Sequence, residues 1–177
     1  MIAMTSPLAA LAFAALAALP QPPAQRTLLP LVQVQSADVA SQMRAYVAFC
    51  QGTAKPEYVV DCLAERFNLA ADTMGNYGAT ADLYRALKRA ARDLAAVSRK
   101  YAAPATPPLV LSSNFTTTRP IRPVAPANLP RSNAAATEVL QEAELTLLRS
   151  ATRSPDILAF QQVAEILGSA KVLLRSG

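Results

Sequence analysis

Seventeen basic side chains, twelve carboxylates, two cysteines and no histidine set the chemistry open to this 177-residue chain. Without histidine it lacks the side chain most used as a general base near neutral pH and the commonest metal ligand. Its five glycines form no phosphate loop, nucleophile elbow or calcium loop. Cys50 and Cys62 do not have the C-x-x-C spacing of a redox pair, and joined to each other they leave no thiolate for zinc. No catalytic residue, cofactor or metal ligand is therefore assigned.

Two charge patterns could bind something. Glu57, Asp61 and Glu65 recur every four residues. Oxygen ligands on one helical face could hold a hard cation, but such a row is ordinarily a solvated face. The row is read here as one half of a set of surface ion pairs, each worth about 0–1 kcal/mol. The other half is the basic run that follows. Arg85, Lys88, Arg89, Arg92, Arg99, Lys100, Arg119, Arg122 and Arg131 share the stretch 85–131 with one acid, Asp93, so most of the net charge of +5 resides there.

The elements that must position these groups are helical. Ser36 is a good N-cap, and Val39, Met43, Val47 and Cys50 share one face of the helix it would start. Gly52 ends that helix in this reading, and Pro56 opens a second with Val59, Cys62, Leu63, Phe67 and Ala70 on its apolar side. Both cysteines thus point to the seam between the two helices. A disulfide there closes a loop of about a dozen residues, worth roughly 3 kcal/mol; the alternative is two buried thiols. A third helix follows Thr80, with Leu83, Leu87, Ala90, Leu94, Val97 and Tyr101 forming a seam of heptad character. That seam packs on the preceding helices or, as a second option, pairs with another copy of the chain.

Seven prolines and a Ser/Thr cluster exclude a helix from 102–130. The stretch is a spacer by default, or an extended segment docked through Leu109, Val110, Leu111 and Ile121. Ser132 or Asn133 is expected to cap a fourth helix, and Ser154-Pro155-Asp156 to start a fifth that folds back on it.

The start of the chain bears on compartment. Leu8 to Leu19 is an unbroken apolar run of signal-peptide length, followed by Pro20. The expected organisation is a signal peptide over 1–24, an extended arm over 25–35, a three-helix unit over 36–101, the Pro-rich segment over 102–130 and a helical hairpin over 131–177. The fold class is all-α: a small bundle of about five helices with its first pair stapled by a disulfide. An exported chain with an oxidised cysteine pair belongs in the periplasm or outside the cell.

These features point to a non-enzymatic protein that acts by binding another protein, as an accessory or assembly factor. The alternative is a binder of polyanions or anionic membrane surfaces. The candidate surface is Arg85, Lys88, Arg89, Arg92, Leu109, Val110, Arg119, Ile121 and Arg122. Nucleic acid is disfavoured as a partner, because the basic run has only two aromatic residues, Tyr101 and Phe115, set among it.

Overall fold

The computed structural model describes residues 29–76 and 78–176, with side chains from 38 to 175. The leader and residues 25–28 of the arm lie outside the described residues. Five helices make the bundle: α1 (Leu29–Thr53), α2 (Val59–Met74), α3 (Ala81–Lys100), α4 (Leu129–Ala151) and α5 (Ile157–Ser176). No strand occurs among the described residues; three isolated antiparallel bridges lie between α3 and α4. Each helix packs on the one before it, and α5 closes the ring against α1. Arg44 and Val47 of α1 share a surface depression with Glu165 and Ser169 of α5, and Gln51 and Ala54 share another with Leu173 and Leu174. The two closing helices therefore run parallel.

Two helices begin earlier than the sequence pattern suggests, for the same reason. The arm expected over 25–35 is helical from Leu29, and α4 starts at Leu129 rather than after Ser132 or Asn133. In both, proline is the second residue of the helix, Pro30 and Pro130. A first-turn amide has no intrahelical acceptor, so proline forfeits nothing there and its fixed φ suits the helix. At the start of α5, Asp156 rather than Ser154 supplies the cap, accepting from the Ala159 amide at 3.3 Å.

The core runs through the ring centre, where Met43, Leu63, Phe67, Leu83, Leu87, Leu94, Leu140, Leu147, Phe160 and Leu167 are almost wholly excluded from water. The α3 seam is inside it: Leu83, Leu87, Ala90 and Leu94 are buried against α2 and α4. The option of pairing two chains through Leu83–Tyr101 is thereby corrected, because the residues that would drive it are already covered. Helix α5 is apolar enough to resemble a membrane span, with a mean hydropathy of 1.4, and 44% of that span is buried in the bundle.

Cys50 and Cys62 are joined in a disulfide linking α1 to α2, their Cα atoms 5.8 Å apart. Helix α1 runs through Gly52 to Thr53 and the chain turns through a short 3₁₀ segment, Pro56–Tyr58, so that the last turn of one helix meets the first turn of the next. The unreduced, denatured protein is expected to show no alkylatable thiol, and reduction to cost no more than about 3 kcal/mol, because only a short loop is closed. Complete alkylation of both cysteines without reductant would rule out the bridge.

Candidate functional site

The segment from Tyr101 to Ala125 forms a flap laid over α1 and α2. Leu109 and Ile121 exchange backbone hydrogen bonds of 3.0 and 2.7 Å, and the Thr117 amide donates to the Leu111 carbonyl at 2.9 Å. Between these rungs one side of the flap has a single residue, Val110, while the other has Thr118, Arg119 and Pro120. The excess length bows out, and its polar groups reach α2. The root is pinned by the Ala103 amide on the Pro123 carbonyl, the Val124 amide on that of Glu57 and the Ala125 amide on that of Tyr101.

The acid row supplies the clasp. Asp61 is fully buried and accepts Arg119 Nη1 and Nη2 at 2.6 and 3.0 Å and the Arg122 amide at 2.8 Å. Glu65 Oε1 accepts the Thr118 amide at 2.8 Å, the Thr118 hydroxyl at 2.7 Å and Arg66 Nη2 at 2.6 Å. Arg66, 1% exposed, also donates to the Thr116 carbonyl at 3.1 Å. Its guanidinium lies over the rings of Tyr46 and Phe49, 5.1 and 5.2 Å from their centroids. Phe115 then meets both rings edge to face, at 5.4 and 6.0 Å between centroids. Cation–π and edge-to-face geometries are both favourable here, since a cation prefers the negative ring face and a ring edge is positive.

Electrostatics follow from this packing. Burial by itself pushes the Glu65 carboxyl up, but the hydrogen bonds from Arg66 and Thr118 outweigh it and leave the pKa below its ordinary value. The hydrogen-bonded Asp61 carboxylate raises Arg119. Burial raises the phenol of Tyr46, opposed in part by the Arg66 charge. With their oxygens filled by guanidinium and amide donors, Asp61 and Glu65 have no room for a hard cation. Among the described residues no group of three or more His, Cys, Asp or Glu side chains is placed to hold a metal.

These contacts revise the reading of the charged residues. Asp61 and Glu65 do not lie on a solvated face, and their partners are the flap and Arg66 rather than α3, while half-buried Glu57 meets the flap through its carbonyl. Lys88 instead pairs with Asp72 at 2.5 Å and donates to Asn68 at 2.8 Å. Arg85 pairs with Asp82 in its own helix, while Arg89 and Arg92 stay exposed. Arg119 is a structural group, so replacing it would strand Asp61. Ile121 is fully buried and cannot meet a partner, whereas Leu109 and Val110 are 39% and 57% exposed and Arg122 is exposed. The flap brings Leu109, Val110, Arg119, Ile121 and Arg122 together; among the described residues the bases of α3 make no hydrogen bond or ion pair with it.

Arg66, Thr118 and Phe115 were not singled out in the sequence, and Glu65 was read there only as part of a solvated row. One signal in the sequence pointed to them: Arg119 and Arg122 have no acid nearby in the chain. The unbroken burial of residues 58–67, which obliges their charges to find partners, shows only in the fold.

One larger cleft is open between the start of α4 and the end of α5. It measures about 590 Å³ and is lined mainly by Leu129, Pro130, Ala134, Thr137 and Leu174, with Glu138 and Arg175. It contains no acid–base or nucleophile pair. Comparison with protein-family models, with curated proteins and with solved structures finds no match.

Proposed function

We propose that this protein is an exported, non-enzymatic binding module that presents its clasped flap to a partner protein. The observation that carries this reading is the buried charge cluster. Burying ion pairs is a poor route to stability, because desolvation offsets most of the attraction; its attested use is to fix one arrangement among several. Here what is fixed is a long proline-rich loop, and the arrangement leaves Leu109 and Val110 facing solvent. A loop ordered in advance loses little entropy on binding, so its exposed apolar side chains can contribute their full contact energy. The disulfide fits an oxidising compartment, and together with the apolar leader it supports export to the periplasm or the exterior.

A second reading rests on Arg89 and Arg92, exposed on α3 with no ion pair among the described residues. It makes α3 a polyanion or membrane-surface site. One experiment separates the two: in-cell crosslinking with mass spectrometry, comparing wild type, Leu109→Ser with Val110→Ser, and Arg89→Ala with Arg92→Ala. The flap variant is expected to lose its specific partner and the arginine variant to keep it, with anion binding weak near physiological salt. Retained capture by the flap variant, with loss in the arginine variant and a steep salt dependence, would transfer the function to α3.

A further inference from the structure

The outer side of α4 bears a charge pattern that no ion pair among the described residues answers. Leu145 and Leu148 are 38% and 41% exposed. On the N-terminal side of them lie Glu138 and Glu142, on the C-terminal side Arg149 and Arg153, all four exposed. None of the four makes an ion pair with a described residue. Glu138 and Glu142 are like-charged neighbours one turn apart, which in an isolated helix is unfavourable, and Arg153 lies in the turn just beyond the end of α4. The helix dipole accounts for Arg149, in the last turn of α4. It does not account for the acids, which lie well beyond the first turn, where the dipole no longer acts.

The pattern is its own complement. The pair Glu142 and Arg149 and the pair Glu138 and Arg153 are centred on the same point, between Leu145 and Thr146. Two α4 helices laid antiparallel about a two-fold axis through that point place Glu142 of each copy opposite Arg149 of the other. The same axis carries Glu138 toward the turn that holds Arg153 of the other copy and brings Leu145 of both copies together between the charges, with Leu148 flanking them. Glu142 and Arg149 are two turns, about 10 Å, apart along the helix, so the apolar centre and its charged rims fit within one helix face. Isologous contacts of this kind are the commonest in soluble oligomers.

We infer that the outer face of α4 is a self-association surface that pairs two copies of this chain antiparallel. It uses residues remote in sequence from the flap and does not depend on the flap's role. Sedimentation equilibrium of the purified protein is expected to give the mass of two chains, with a dissociation constant that rises with salt. Glu142→Arg and Arg149→Glu, taken singly, bring like charges together at both rims and should each weaken the dimer at least about tenfold. The double variant restores opposite charges across the axis and should regain most of that loss. Leu145→Ser with Leu148→Ser should abolish the dimer. All these side chains are exposed, so circular dichroism is expected to show an unchanged helical signal throughout. A wild type with the mass of one chain at every soluble concentration would overturn the inference, as would single reversals without effect or a double variant no better than the singles. A monomeric wild type that binds phosphatidylglycerol vesicles through Leu145 and Leu148 would also overturn it and assign the face to a lipid surface.

Discussion

Replacing Glu65 by alanine is expected to lower the unfolding free energy by about 3–5 kcal/mol, the cost of leaving a buried ion without its partner. Arg66 is 1% exposed, and without Glu65 its guanidinium keeps only two ring faces and the Thr116 carbonyl. No carboxylate then balances its charge, and water cannot reach it. Removing both charges together, Glu65→Leu with Arg66→Met, should recover most of the loss, since no ion is then stranded. That double variant still lacks the acceptor for Thr118, so amide exchange at Thr118 should quicken even where global stability returns. Denaturant unfolding and hydrogen exchange read the two effects separately. The sign of the pH dependence follows from the lowered pKa of Glu65. Its contribution is present above the carboxyl value of the unfolded chain and is lost as pH falls through the lower folded value. Acid should therefore destabilise wild type more steeply than Glu65→Ala. A loss below about 1 kcal/mol on removing Glu65 would mean that water screens the cluster, and the clasp would then not order the flap.

Leu94→Asp should leave little folded protein at neutral pH. Leu94 is fully buried on α3, the helix between α2 and α4 in the ring. The substitution forfeits about 1.5–3 kcal/mol of side-chain burial, and the new carboxylate finds no donor among the apolar side chains of the seam. The desolvation cost adds several kcal/mol more. Against a domain stability of about 5–15 kcal/mol, the sum is enough to unfold a small bundle. A carboxyl forced into this seam would have its pKa raised, so the penalty is full at neutral pH and eases as pH falls through that raised value. Arg92→Asp, on the exposed side of the same helix, should change stability by about 0.5 kcal/mol or less. Helical circular dichroism and soluble yield distinguish the two. A folded, cooperative Leu94→Asp protein would remove the seam from the core.

The Glu65 result bears on how far this chain could be read in one dimension. Elements set by near neighbours were legible. The spacing of Leu83, Leu87, Ala90 and Leu94 defines one face of a helix wherever that helix packs, and all four are buried. The same holds for Leu140 and Leu147 on α4 and for Phe160, Val163 and Leu167 on α5. The cysteine pair was legible too, because both residues fall on the apolar faces of consecutive helices, and the turn between them is short enough to force those faces together.

Where a local signal has two physical meanings, the sequence could not choose. Proline breaks a helix in its interior and suits its first turn, so Pro30 and Pro130 marked boundaries without showing on which side the helix lay. The acid row is a sharper case. Carboxylates at every fourth position look the same whether the face meets water or is covered, and what covers Asp61 and Glu65 comes from Thr118, Arg119 and Arg122, more than fifty residues further along the chain. Helical periodicity reports which residues share a face; only the folded chain decides what that face meets. The flap's course across α1 and α2 therefore belongs to the tertiary structure. The desolvation of Asp61 and Glu65 is decided at the same level, because a charge becomes a clasp only when a distant segment arrives with the donors that replace water.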